Sequence, residues 1–227
     1  MDDHIADFHI HSKYSHDSLL SIKSILKKAK IAGLTRIAIT DHGTIRGGVE
    51  AKKQAGKYDI DVIVGAEIKT DCGDITGLFL DHEIHETSWT AVIAEIRQQN
   101  GVVILPHPYR DHVNTEQIAQ EVDFIEIWNA RSFPEENALA ADLAQRLGKP
   151  AIIGSDAHFA SEIGSVKVRV GKHTLQSQEI FSSRYSSVSA IHRSRFISLL
   201  KQRKWGMLFS LGAAYLGKKI QKSRKYV

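Results

Sequence analysis

The chain has 227 residues, enough for a single α/β barrel of roughly 200–250 residues, and its 42% hydrophobic and 25% charged content excludes wholesale disorder. Lys and Arg number 30 against 26 Asp and Glu, but residues 191–227 hold ten of the basic side chains and no acid, leaving residues 1–190 with 20 basic and 26 acidic groups. The mildly acidic body excludes a uniformly basic, nucleic-acid-coating protein, while the single Cys72 excludes a disulfide framework or thiolate zinc cluster and fits a reducing, cytoplasmic setting.

The N-terminus, MDDHIADFHIH, carries acids where a signal peptide needs a basic segment. It leads into a predicted strand over Ile5–Ile10, with Asp7, His9 and His11 on or just beyond it; strand alternation puts all three on one face. An amphipathic helix, Ile22–Ala32, stops at Gly33 and is followed by the strand Arg36–Thr40, then Asp41 and His42. The helix Ile45–Lys57 precedes the strand Val62–Glu67, which ends in a carboxylate. The run Ile75–Leu80 follows too closely for a helix between, so one hairpin-like step is expected. Trp89–Gln99 reads as a helix, Val102–Leu105 as a strand delivering His107, and Thr115–Gln120 as a short helix. Phe124–Trp128 reads as a strand delivering Asn129, Glu135–Leu147 as a helix, and Ala151–Gly154 as a strand followed by Asp156 and His158. The stretch 176–190 is Ser-rich and reads as a connection, which divides the chain into a barrel (1–175), this connection, and a tail (191–227). The tail reads as one basic helix from Ile191 to about Tyr226, and its apolar run Trp205–Gly217 falls short of the roughly 18 residues of a spanning helix.

Seven strands with intervening helices predict a parallel, barrel-like α/β arrangement, and such barrels place their chemistry at the C-terminal strand ends. Imidazoles and carboxylates gathered there without thiolates suit Zn²⁺, Mn²⁺ or Fe²⁺ in mixed N/O coordination. Ions a few ångströms apart, with Glu67 as a bridge, would acidify a bridging water and clamp both oxygens of a displaced group, chemistry that favours hydrolysis of a phosphate ester. A lone strand-end histidine is usually a structural residue; it is the recurrence of such residues at successive strand ends that points to metal. His4, His82, His85, His112, His173 and His192 lack that placement and read as surface residues.

Asp7-Phe8-His9-Ile10-His11-Ser12, Thr40-Asp41-His42, Gly65-Ala66-Glu67, Pro106-His107-Pro108 and Gly154-Ser155-Asp156-Ala157-His158 together resemble the motifs of the polymerase-and-histidinol-phosphatase (PHP) superfamily. The resemblance runs from residue 5 to about residue 170, and within the superfamily the chain is similar to the small stand-alone phosphoesterases. It implies a distorted (β/α)7 TIM-like barrel holding two or three divalent ions (Zn, Mn or Fe), with a C-terminal basic helix beyond it. His9, His11, Glu67 and Asp156 would hold one ion, Glu67 and His107 a second, and Asp17, His42 and His158 a third. The segment Tyr14-Ser15-His16-Asp17-Ser18 leaves His16 or Asp17 for that last site, and Asp17 is preferred because relatives use an acid there. Some relatives carry a further histidine between Glu67 and His107; here Cys72-Gly73-Asp74-Ile75 leaves it absent or replaced by Asp74.

Arg46, Arg110 and Arg131 lie beside the motifs and are the candidates for contact with a substrate phosphate. The expected reaction is in-line attack by a metal-bridging hydroxide on a small phosphorylated substrate, most simply a phosphomonoester. Asp7 or His158 would move a proton to the leaving alcohol, or Asp7 would orient a ligand histidine. The rival readings are a nuclease or other phosphodiesterase acting on nucleic acid, a catalytically inactive metal-binding module, and an amidohydrolase-type barrel. For the tail two readings stand: a helix packed on the barrel, or an interfacial helix on an anionic membrane surface; nucleic acid would be its partner in the nuclease reading. Lying outside every motif, the tail is expected to say little about catalysis.

Overall fold

The β-branched runs of this chain form strands, and each amphipathic stretch between them turns an apolar stripe onto the sheet. The computed structural model describes residues 3–176, 179–204 and 207. The first half contains β1 (His4–Ile10), α1 (Ile22–Ala32), β2 (Arg36–His42), α2 (Arg46–Gln54), β3 (Asp61–Thr70) and β4 (Gly73–Leu78). The second contains α3 (Trp89–Gln98), β5 (Val102–Leu105), α4 (Thr115–Glu121), β6 (Phe124–Asn129), α5 (Pro134–Leu147) and β7 (Ala151–Gly154), followed by β8 (Val166–Val170), β9 (Glu179–Ser183) and α6 (Val188–Lys201). Ser21, Ser88 and Ser187 cap α1, α3 and α6 by accepting from the N–H three residues on.

The sheet runs β7-β6-β5-β4-β3-β2-β1-β8-β9. β1, β2 and β3 pair in parallel, as do β5, β6 and β7, but β4 is antiparallel to both β3 and β5. The hairpin-like step is thus a reversed strand set into the parallel run. β1 uses its outer edge twice. Its start, His4–Ala6, pairs antiparallel with β8. Beyond that, His11 N–H donates to Ala157 O at 2.9 Å and Ala157 N–H to His9 O at 3.2 Å. The sheet therefore curls into a half-barrel, with the end of β7 beside the end of β1.

Alternate strand residues divide between two layers. Ile37, Ile39 and Val62 pack outward with the apolar side of α1, whereas Ala38, Ile63 and Ile104 join Phe8 and Val168 in a separate cluster on the other face. Four residues along from Ala38 and Ile63, that same inner face carries His42 and Glu67.

Three features depart from the sequence reading. β8 and β9 extend the sheet past the seven expected strands, and β9 lies inside the Ser-rich stretch 176–190. The tail helix starts at Val188 and ends at Lys201, where Gln202 closes it and Arg203 takes a φ of +56°. The remainder of the expected helix to Tyr226, with its apolar run and second basic segment, lies outside the described residues apart from Met207. No helix among the described residues is long and apolar enough to cross a membrane.

Candidate metal centre

Neighbouring strands deliver the central contacts. His42 and Glu67 are register partners on β2 and β3, and His42 Nδ1 lies 3.2 Å from Glu67 Oε2. The other carboxylate oxygen of Glu67 is 2.8 Å from His107 Nε2, beyond β5. From β1, His9 and His11 reach Glu67 Oε2 at 3.5 and 3.3 Å, and Asp156 Oδ1 at 3.7 and 3.3 Å. Asp17 Oδ2 sits between His42 Nε2 (3.2 Å) and His158 Nε2 (2.7 Å). Among the described residues, ligand atoms within 4.8 Å of one another form four overlapping groups: His11, Asp17, His42 and His158; His9, His11 and Glu67; His9, His107 and Asp156; and Glu67, Asp74 and His107. The eight residues expected as ligands thus converge, joined by Asp74. His107 (φ +29°) and Asp156 (φ +51°) are held in the left-handed region, a strain of roughly 1–3 kcal/mol each that side chains at working sites commonly bear.

For His9, His11 and His158, hydrogen bonds on the far side of the ring decide which nitrogen faces inward. His9 Nδ1 donates to Glu126 Oε1 at 2.9 Å and His158 Nδ1 to Asp156 O at 2.7 Å. His11 Nδ1 donates to Ser15 Oγ at 2.9 Å, because the Ser15 hydroxyl proton is committed to Asp41 Oδ1 at 3.0 Å. Each ring, when neutral, then turns a bare Nε2 lone pair toward the centre. His9 Nε2 and His11 Nε2 are only 3.1 Å apart, and His158 Nε2 faces a carboxylate oxygen. Lone pairs so placed repel unless protons or cations lie among them. Asp17 Oδ1 and His107 Nδ1 are also buried without a hydrogen-bond partner among the described residues. The donor set and these open atoms fit divalent cations.

The electrostatics agree. Burial alone would raise Glu67 and Asp156, but the charges of His9 with His42, and of His9 with Arg110, hold the two carboxyls well below the usual range. Burial alone would lower His11, yet Asp156 and Glu67 push it up to about 10. A histidine raised above its unfolded value of about 6.5 stabilises the fold fully below that pH and loses the contribution as pH climbs through its folded value. With ions removed by chelator, the melting temperature should therefore fall between pH 6.5 and about 10. In excess Mn²⁺ the fall should vanish, because the ion replaces the proton. Thermal unfolding in both buffers checks this, and equal slopes would refute it.

Of the other expected residues, Arg110 and Arg131 border the cluster and Arg46 does not. Asp7 does not join His9 and His11: the β1–β2 register shifts between Asp7 and Ile10, and Asp7 Oδ1 accepts from Ser155 N–H (3.0 Å) and His9 N–H (3.4 Å). Burial pushes its carboxyl up to about 7. Arg46 stacks on the Tyr14 ring at 4.7 Å, in a pocket with Glu50 and Lys53 whose lining includes none of the cluster's residues. Arg110 Nη2 reaches Asp156 Oδ2 at 2.7 Å. Arg131 is held by both Glu162 oxygens (3.2 and 3.1 Å) and by Ser194 Oγ of α6 (2.8 Å). The start of the tail therefore reaches the border of the cluster. His112, read as a surface residue, is half-buried against His107, with Nδ1 on Arg110 O at 2.9 Å.

Glu126, passed over in the sequence, is central. It binds His9, accepts the His107 N–H at 2.8 Å and takes an Asn129 amide hydrogen at 3.0 Å. Gly154 of β7 makes this possible: a Cβ there would stand 2.4 Å from His9 Cβ and 2.5 Å from Glu126 Oε1. Two hollows open on the cluster. One of about 210 Å³ is bordered by Arg110, Arg131, Asp17 and His158, and a larger one of about 670 Å³ by His16, Lys69, Ile84 and His85; both reach His42 and Glu67.

A family model described as the PHP domain matches residues 7–193. An uncharacterized protein of Methanocaldococcus jannaschii is 40% identical over 139 residues, covering 55% of this chain and 81% of that protein. A 60-residue stretch is 42% identical to the DNA polymerase III subunit alpha of Borreliella burgdorferi, 26% of this chain but 5% of that subunit. Among solved structures, a two-domain protein of Bacteroides vulgatus containing a predicted PHP-like metal-dependent phosphoesterase matches with a TM-score of 0.65 and 20% identity, over 85% of this chain. This chain spans 62% of that protein. PsfC of Pseudomonas syringae matches with a TM-score of 0.61 and 15% identity, over 89% of this chain and 99% of its own. At these identities the structural likeness is one of fold.

Proposed function

Because the chain belongs to the PHP domain family, we propose that it is a divalent-metal-dependent phosphoesterase acting on a phosphomonoester. The observation that carries this reading is the 3.1 Å approach of His9 Nε2 to His11 Nε2 amid Glu67 and Asp156, with the Arg110 guanidinium 2.7 Å from Asp156. His9, His11, Glu67 and Asp156 would hold one ion, Glu67, His107 and Asp74 a second, and Asp17, His42 and His158 a third. Bound there, Zn²⁺, Mn²⁺ or Fe²⁺ would supply Lewis acidity toward phosphoryl oxygens and acidify an attacking water.

The chain's own groups do the rest. Arg110, free to exchange Asp156 for a phosphate oxygen, brings a charged donor to the smaller hollow, toward the charge that develops on the phosphoryl oxygens. Arg131, braced by Glu162 and Ser194, offers a second positive charge at a fixed position. The larger hollow beside Glu67 takes the leaving group, with Lys69 and His85 on its wall. The bonds of Asp7 to Ser155 and His9 support an orienting part for it, joining β1 to the β7 end.

The test is a panel of phosphomonoesters and short oligonucleotides, assayed with protein stripped by chelator and reloaded with Mn²⁺, Zn²⁺ or Fe²⁺. Hydrolysis of monoesters by the reloaded protein alone is expected, with His42→Ala and Asp156→Ala losing both bound ion and turnover. Cleavage of oligonucleotides without monoesters would replace this reading with a nuclease. A full ion load without any hydrolysis would leave a binding module.

A further inference from the structure

The rim of the centre formed by residues 13–18 is fastened from outside the motifs. Lys201, the last residue of α6, directs its Nζ at the backbone carbonyls of Lys13 (2.8 Å), Ser15 (2.5 Å) and Ser18 (2.9 Å). An ammonium has three N–H donors and no acceptor, so these carbonyls take its whole donor set. Three carbonyl dipoles with their oxygen ends converging on one point repel one another unless a cation sits there, and a charged donor makes such bonds strong. The loop so gathered carries Ser15, whose hydroxyl receives both His11 Nδ1 and the His42 N–H. It also carries Asp17, set between His42 and His158. Lys201 itself lies beyond residue 193, where the family match ends.

We propose that Lys201 is a positioning residue for the ion site of Asp17, His42 and His158: from the end of α6 it fixes the 13–18 loop so that Asp17 faces the two imidazoles. The proposal rests on the ligand assignment made above. It makes the described part of the basic tail a component of the centre. A lysine at the end of the α6 face that buries Ala190 and Ser194 here does the work of a structural cation.

The experiment uses the full-length protein stripped by chelator and titrated with Mn²⁺ by calorimetry, with Lys201→Met, Lys201→Arg, Asp17→Asn and the Asp17→Asn/Lys201→Met double variant. Lys201→Met is expected to weaken one class of Mn²⁺ site by ~10- to 100-fold, the loss seen when a group that orients a metal ligand is removed, and to leave the other classes unchanged. In the Asp17→Asn background it should change nothing further. Should Lys201→Met not fold, Lys201→Arg keeps the charge but not the three-carbonyl geometry, and should weaken the same class alone by a smaller factor. Wild-type affinity in the lysine variants, equal weakening of every site, or additive losses with Asp17→Asn would each overturn the proposal. A wild type and an Asp17→Asn variant with identical Mn²⁺ titrations would overturn the ligand assignment of Asp17, and this proposal with it. A wild type that takes up no Mn²⁺ would overturn the function proposed above as well.

Discussion

Glu67→Gln is expected to lower phosphoesterase turnover by on the order of 10³-fold or more, since a catalytic ion contributes several kcal/mol of charge stabilisation at about 1.4 kcal/mol per tenfold. Among the described residues, Glu67 is the one side chain that touches His9, His11, His42 and His107 together, at 3.5, 3.3, 3.2 and 2.8 Å. The amide keeps the shape but removes the charge, and it presents N–H donors where an ion or a protonated imidazole needs an acceptor. Turnover at saturating Mn²⁺, read beside the ion content per chain, checks this. A variant that keeps both its ions and its rate would remove Glu67 from the centre.

Glu126→Ala should affect stability and metal uptake together. The His9–Glu126 pair is buried, with side-chain exposures of 3% on both sides and a 2.9 Å separation. Burial alone would raise the Glu126 carboxyl, but His9 holds it below its usual range. Removing one partner of such a pair costs about 3–5 kcal/mol, and here it also strips the His107 N–H of its acceptor. Freed at Nδ1, the His9 ring loses the bond that aims Nε2 inward, so affinity for divalent ions should drop ~10- to 100-fold. Glu126→Gln, which retains an acceptor at Oε1, should recover most of the affinity. Chemical denaturation of the stripped protein and ion titration of the folded one measure the two effects separately. An alanine variant as stable and as avid as wild type would deny Glu126 this role.

The sequence makes the candidate ligands legible and much of their support illegible, for different physical reasons. His9, His11, His42, Glu67, His107, Asp156 and His158 follow apolar runs at strand ends, where one-dimensional spacing reports three-dimensional convergence. Glu126 leaves a weaker mark: it sits inside FIEIWN, where a charge flanked by apolar residues on a strand is costly unless paired. That cost was the available signal. β8 also shows period-two alternation, VKVRV with every second residue buried, whereas β9 is mostly exposed on the sheet edge and offers no such pattern. Asp7 misleads because alternation assumes an unbroken strand, and the register of β1 shifts just after it. Ser194 and Lys201 act across more than 60 and 180 positions of chain respectively, and a basic helix gives no hint of which lysine finds carbonyls.

The double use of the β1 edge has a consequence in time. β1 lies near the beginning of the chain, yet its ladder is completed by Ala157, through a bridge at Ile10. Closing contacts between such distant positions makes folding slow relative to a protein of local contacts. During synthesis at about 5–20 residues per second, His9 and His11 must wait for nearly 150 further residues before Asp156 and His158 can stand beside them. An early segment therefore presents a His-x-His pair with half its partners missing. Ion capture at full affinity then becomes a late event that marks the meeting of the first strand with the seventh, so metal uptake in a refolding experiment should trail the burial of α1 and α2 against β2 and β3.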